Sequence, residues 1–252
     1  MKIQYCSDLH LEFSTNREFL LKHPVKPMAD ILVLAGDVMP FAHLERYQDF
    51  ISYLSDHFET VFWIPGNHEY YKSDIQQRTG KFEEKIRENV ILLNNTVKSF
   101  GDVQLVFSTL WSAISPENSF MIQKALYDFK LIRNGDRLFN TIDFTNLFRE
   151  NFDFVKQAVS ADTHFKKVVV THHVPTMLHY PAHYKGSVVN QAFATELSDF
   201  IQESEIPYWI YGHHHYNSPD FTIGNTKLLT NQLGYVQKKE HLGFKNGLIL
   251  EL

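Results

Sequence analysis

A single cysteine, Cys6, stands in 252 residues. No disulfide can close within the chain, which excludes both a disulfide-built secreted domain and a cysteine-rich zinc module. An excess of basic charge is also missing: 24 Lys and Arg face 29 Asp and Glu, for a net charge of −5 with His neutral. That removes a broad cationic field for non-specific binding of nucleic acid or a membrane surface, and leaves room only for a local basic groove. Long apolar runs are absent as well. No window approaches the ~20 apolar residues that a spanning helix needs. None follows Lys2–Asp8, so no secretory signal is expected and the chain is read as cytoplasmic.

What is present is an ordinary globular composition, 44% hydrophobic and 21% charged, which excludes a largely disordered chain. The length allows one large domain or two small ones. We read one domain over residues 1–252, with an excursion at about 112–143 that is partly helical and broken at Pro116, Asn134 and Gly135. No internal repeat or low-complexity tract interrupts it.

Strand patterns at Lys2–Ser7, Asp30–Ala35, Thr60–Ile64, Lys166–Thr171 and Pro207–Tyr211 alternate with helical ones around Asn16–Lys22, Leu44–Phe58, Ile75–Asn89, Phe144–Ala161 and Ala192–Glu203. Shorter strands are predicted at Val90–Leu93, Thr96–Phe100, Val103–Ser108, Phe221–Ile223, Lys227–Thr230 and Gly247–Leu252. The alternation predicts an α/β fold, and the extra strands predict more than one sheet with mixed pairing.

Histidine is abundant, with 14 in the chain, and its placement is informative. Asp8 and His10 follow the first strand, Gly36-Asp37 the second, and Gly66-Asn67-His68-Glu69 the third. His172-His173 follow the strand ending at Thr171, and Gly212-His213-His214-His215 the one ending at Tyr211. Each group alone reads as a turn, a cap or a surface histidine. Five groups at the carboxyl ends of five strands, where open α/β sheets carry their crevice, read as one site. The set Asp8, His10, Asp37, Asn67, His172, His213 and His215 is too large for a single catalytic ion and suits two ions sharing a carboxylate. Nitrogen and oxygen donors without thiolate fit Mn, Fe, Zn, Co or Ni. The glycines before these donors point to tight turns and close packing beneath the ions.

Asp8-Leu9-His10, Gly36-Asp37, Gly66-Asn67-His68-Glu69, the His172 segment and Gly212-His213-His214-His215 together resemble the ordered five-block signature of calcineurin-like metallophosphoesterases. Asn231, Gly234 and Tyr235 resemble its small bacterial branch. The resemblance implies a four-layer αββα sandwich, two stacked mixed sheets flanked by helices. It implies a cofactor of two metal ions (Mn, Fe or Zn), one held by Asp8, His10 and His215, the other by Asn67, His172 and His213, with Asp37 bridging. The implied reaction is hydrolysis of a phosphate mono- or diester by a hydroxide bridging the ions. His68 protonates the leaving oxygen, and Asn67, His68 and His173 face the substrate. His214 is expected to point away. The implied partner is a small phosphate ester, with neither membrane nor nucleic acid. Tyr70, Tyr71, Trp111, His179, Tyr180 and His183 are candidates for the cleft wall, weighed evenly against core filling. A non-catalytic scaffold of the same fold would be expected to have lost donors, and a nuclease or repair subunit to carry basic patches beyond Lys166-Lys167 and Lys238-Lys239.

Overall fold

A computed structural model describes residues 1–161 and 164–252. Its strands, in chain order, are β1 (Lys2–Cys6), β2 (Ile31–Ala35), β3 (Thr60–Ile64), β4 (Phe82–Arg87), β5 (Val90–Asn94), β6 (Thr96–Phe100), β7 (Val103–Ser108), β8 (Arg133–Asn134), β9 (Arg137–Leu138), β10 (Lys166–Thr171), β11 (Tyr208–Tyr211), β12 (Phe221–Ile223), β13 (Thr226–Thr230) and β14 (Ile249–Glu251). The helices are α1 (Ser14–Lys22), α2 (Gln48–His57), α3 (Pro116–Ala125), α4 (Asp128–Leu131), α5 (Thr141–Ser160) and α6 (Ser198–Glu203).

Runs that are apolar on both faces belong in the middle of parallel sheets, and two such sheets form. One has the order β14-β1-β2-β3-β5-β4, the other β12-β13-β11-β10-β7-β6. Each has four parallel strands at its centre and an antiparallel strand at either edge. Alternate residues divide between two cores. Ile3, Val33, Phe62, Leu105, Phe107, Val168 and Ile210 face the opposite sheet, where the Phe62 and Phe107 rings meet at 5.2 Å. Leu32, Leu34, Trp63, Val106, Val169 and Trp209 face outward onto the helices. The result is the expected α/β four-layer sandwich. No helix among the described residues is long and apolar enough to cross a membrane.

Three expectations need correction. Ile75–Asn89 is not a helix but a 3-10 turn, Ile75–Arg78, followed by edge strand β4. In Phe82–Arg87, half-buried Phe82, Glu84 and Ile86 alternate with exposed neighbours, a period of two that the surrounding charges disguise. Leu44–Phe58 is a 3-10 stretch, Phe41–Tyr47, running into α2. Ala192–Glu203 is interrupted, because Ala194 forms a parallel bridge to Val174 and the Val174 amide donates to the Phe193 carbonyl at 3.1 Å. The 112–143 segment contains α3, α4 and the β8–β9 hairpin.

Helix α5 begins with a reciprocal cap. The Asn140 side chain accepts from the Ile142 and Asp143 amides at 2.9 and 3.0 Å, and the Asp143 carboxylate accepts from the Asn140 amide at 3.1 Å. Asn140→Ala is expected to lower stability by about 1 kcal/mol, read as a shifted urea midpoint with unchanged slope.

Candidate metal centre

The carboxyl ends of β1, β2, β3, β10 and β11 meet at one end of the sandwich, so both sheets supply the site. Asp8, His10, Asp37, His213 and His215 all adopt left-handed backbone conformations, with φ of 57°, 49°, 55°, 81° and 53°. Such angles cost on the order of 1 kcal/mol or more per non-glycine residue and persist only where neighbours over-determine them. The neighbours are identifiable. The His213 amide donates to both Asp8 carboxylate oxygens at 3.1 Å, and the His215 amide to Gln232 Oε1 at 2.7 Å. The buried Glu69 carboxylate accepts from the amides of Asp37, Val38 and Gly66 at 2.9, 2.7 and 2.7 Å and from the Trp63 indole at 3.0 Å. Glycine is required beneath. A Cβ on Gly66 would lie 2.2 Å from Asp37 Oδ1 and 2.5 Å from His172 Nε2. One on Gly36, itself at φ +90°, would lie 2.3 Å from His172 Nδ1.

Hydrogen bonding fixes the imidazole tautomers. His172 Nδ1 sits 2.8 Å from the Ala35 carbonyl, which can only accept, so in the neutral ring Nε2 is a bare lone pair. By the same logic His213 Nε2 donates to the Ala192 carbonyl at 3.3 Å, leaving Nδ1 bare, and it faces His172 Nε2 at 3.0 Å. Burial opposes a charge on His172, but Asp37 and Asp8 push it up to about 9, so without a metal His172 Nε2 donates to His213 Nδ1. The pattern repeats across the site. His10 Nδ1 is held by Glu12 Oε1 at 3.0 Å and His215 Nδ1 by Glu240 Oε2 at 2.7 Å, which turns their Nε2 atoms toward each other at 2.8 Å. Asp37 lies between the pairs, Oδ1 3.4 Å from His172 Nε2 and Oδ2 3.7 Å from His10 Nε2. Asp8 Oδ1 adds a third oxygen, 3.4 Å from His215 Nε2. Asn67 Oδ1 is buried with no partner, while its amide nitrogen donates to Asp128 Oδ1 at 2.8 Å. Two imidazole pairs in nitrogen-to-nitrogen contact, a carboxylate between them and a buried carbonyl with no partner among the described residues make a nitrogen and oxygen donor set that fits metal ions. Among the described residues three clusters, Asp8-His10-Asp37-His215, Asp37-His172-His213 and His10-Glu12-His68, have ligand atoms within 4.8 Å of one another, and Asp37 joins the first two.

The residues bearing these groups lie within residues 1–217, which match the calcineurin-like phosphoesterase family. The chain belongs to this family. It is 32% identical to an uncharacterized protein of Acanthamoeba polyphaga mimivirus, across 95% of this chain and 93% of that one. Among solved structures, a phosphopantetheinyl hydrolase from Mycobacterium tuberculosis superposes with a TM-score of 0.70 at 17% identity, covering 96% of this chain and 92% of that one. A dimetal phosphatase from Danio rerio gives 0.50 at 10% identity, covering 92% and 87%.

In this phosphoesterase, His68 lies next to the centre. Its amide donates to Asp37 Oδ1 at 2.9 Å, its Nδ1 meets Glu12 Oε1 at 2.7 Å, and its ring lies 4.2 Å from Tyr71. Burial opposes a charge on His68, but Asp37, Glu12 and Asp128 outweigh it and push the group up to about 9. His214 turns away, toward Gln232 Nε2 at 2.9 Å. His173, expected to face substrate, is as fully buried as His172, with Nδ1 near the Thr109 carbonyl, Nε2 without a partner among the described residues, and its ring 4.2 Å from His213, 5.1 Å from Trp111 and 5.7 Å from Phe144. The turn after β10 sets its ring at 87° to that of His172. Of the six cleft candidates, Tyr71 contacts His68. Tyr70 and Trp111 are core, Tyr180 packs by His214, and His179 and His183 pair with Phe221 and Tyr184.

Sequence reasoning missed Glu12, Asp128, Gln232 and Glu240. Only Glu12, two residues beyond His10, carries a local signal. Asp128 arrives from α4 and Glu240 from a 3-10 turn, each reaching its partner through the fold alone.

Gly36→Ala is expected to destabilise the metal-free chain by about 2–5 kcal/mol through backbone strain and overlap with His172. Gly101→Ala, at φ +57° with nothing within 4 Å of its added Cβ, should cost about 1 kcal/mol. Urea unfolding of the two variants side by side checks this.

Proposed function

We propose that this phosphoesterase hydrolyses a small phosphate mono- or diester with two metal ions, one held by Asp8, His10 and His215, the other by Asn67, His172 and His213, and both by Asp37. The observation that carries the reading is the two imidazole pairs, in nitrogen-to-nitrogen contact at 2.8 and 3.0 Å, on either side of the Asp37 carboxylate. Mn, Fe or Zn suits these donors. Burial, helped by Asp8, pushes the Cys6 thiol up to about 12, so it offers no thiolate. When bound, the ions would supply Lewis-acid stabilisation of the phosphoryl oxygens and lower the pKa of the attacking water.

The protein's own groups do the rest. Glu12 Oε1 holds the Nδ1 atoms of both His10 and His68, at 3.0 and 2.7 Å, so one carboxylate orients a metal donor and the acid together. With Nδ1 tied down, His68 presents Nε2, 3.5 Å from the Tyr235 hydroxyl, and delivers its proton to the leaving oxygen. Asp128 holds the Asn67 amide nitrogen and accepts the Tyr71 hydroxyl at 2.7 Å, which aims Asn67 Oδ1 at the site. The net charge of −5 fits a small substrate in preference to nucleic acid or an anionic membrane surface. A purely scaffolding role is disfavoured because the seven donors and His68 are all in place.

Chelator-stripped protein should be inactive on bis-p-nitrophenyl phosphate and p-nitrophenyl phosphate, and added Mn²⁺ should restore turnover of at least one. Inertness of both with metal bound would overturn the reading. His68→Ala should keep its metal and lose about 10²–10⁴-fold in kcat. Asp37→Ala should lose metal and activity together.

A further inference from the structure

A second concavity, of about 530 Å³, opens beside the metal centre, and His215 and Glu240 belong to both. Its walls include Tyr184, Tyr216, Lys238 and Lys239. The two tyrosines are 37% and 41% exposed, and the His183 ring rests 4.0 Å from that of Tyr184. The lysines are exposed and form no ion pair among the described residues. The acid in the wall is shared: Glu240 Oε2 accepts from His215 Nδ1 and from the Tyr235 amide, both at 2.7 Å, and Lys238 acts on it only as a more distant charge. Lys238 is also close to the chemistry. Its Nζ lies 4.8 Å from the centre of the Tyr235 ring, and that ring lies 4.4 Å from His215 and 4.8 Å from His10. One aromatic ring therefore separates this ammonium from the metal donors.

In a chain of net charge −5, two adjacent exposed lysines outside any close ion pair, the charge of Lys238 being felt by Glu240, are an electrostatic feature with a specific use beside a site for anions. We propose that this concavity receives the leaving group and selects one that carries a second phosphate next to a planar ring, as a nucleoside bisphosphate does. The proposal rests on the phosphoesterase reading. In the reaction, water oxygen bonds to phosphorus, the ester P–O bond breaks, and the proton from His68 goes to the departing oxygen. Throughout, Lys238 and Lys239 hold the second phosphate of the departing alcohol, and Tyr184 and Tyr216 offer faces for its ring.

The test compares adenosine 3′,5′-bisphosphate, adenosine 5′-monophosphate and p-nitrophenyl phosphate on Mn²⁺-loaded wild type and on Lys238→Ala/Lys239→Ala. Wild type should favour the bisphosphate over the monophosphate by about tenfold in kcat/KM, less at high salt. The double variant should lose that advantage through KM and keep kcat/KM for p-nitrophenyl phosphate within about twofold. Turnover of p-nitrophenyl phosphate without a bisphosphate preference, or a preference that survives in the double variant, overturns this inference alone. Absence of any turnover in wild type overturns the phosphoesterase reading with it.

Discussion

Four N–H groups, from Asp37, Val38, Gly66 and the Trp63 indole, converge on the one buried carboxylate of Glu69. This tie joins the turn after β2 to the turn after β3, and therefore places Asp37 and Asn67 relative to each other. The Asp37 side chain in turn accepts the His68 amide, so His68 is set by the residue that joins the two donor clusters. Both oxygens of Glu69 meet only donors, while burial and the nearby Asp37 push its carboxyl up to about 8. Removing this acceptor would leave buried amides unpaired and release two strained turns at once, which is why so much of the site hangs on it.

The strain has a matching electrostatic side. Left-handed backbone at five donor-bearing positions brings side chains from both sheets together. His10 meets His215, and His172 meets His213, nitrogen to nitrogen. Against the cost of burial, carboxylate neighbours push one ring of each pair, His172 and His215, up to about 9 in the metal-free chain, so it donates to a neutral partner; a cation would take the place of that proton. Carboxylates at the back of the rings, Glu12 and Glu240, fix the tautomers and raise the donors' basicity. The fold thus stores backbone strain at one end of the sandwich, and its two cores (between the sheets and beneath the helices) supply the stability that sustains it.

The strand-end donors were legible because each follows a short apolar run, and β2, β3 and β10 read clearly for the same reason. The architecture came through resemblance, since alternation alone does not say how two sheets stack. Ile75–Asn89 misled because Glu83, Glu84, Lys85 and Arg87 hide the period of an edge strand behind good helix formers. Adjacency does not say which way a ring leaves a turn, and the His172 and His173 rings stand at 87° to each other. Glu12, Asp128 and Glu240 were illegible as site residues for a different reason: a carboxylate that supports a ligand has no motif, only a position in space.

Calorimetric titration of Mn²⁺ into the chelator-stripped chain tests the central claim most directly. The account predicts two ions per chain, released again by chelator. A stoichiometry of one would leave one of the opposed histidine pairs unexplained, and no binding would contradict the assignment of the whole centre.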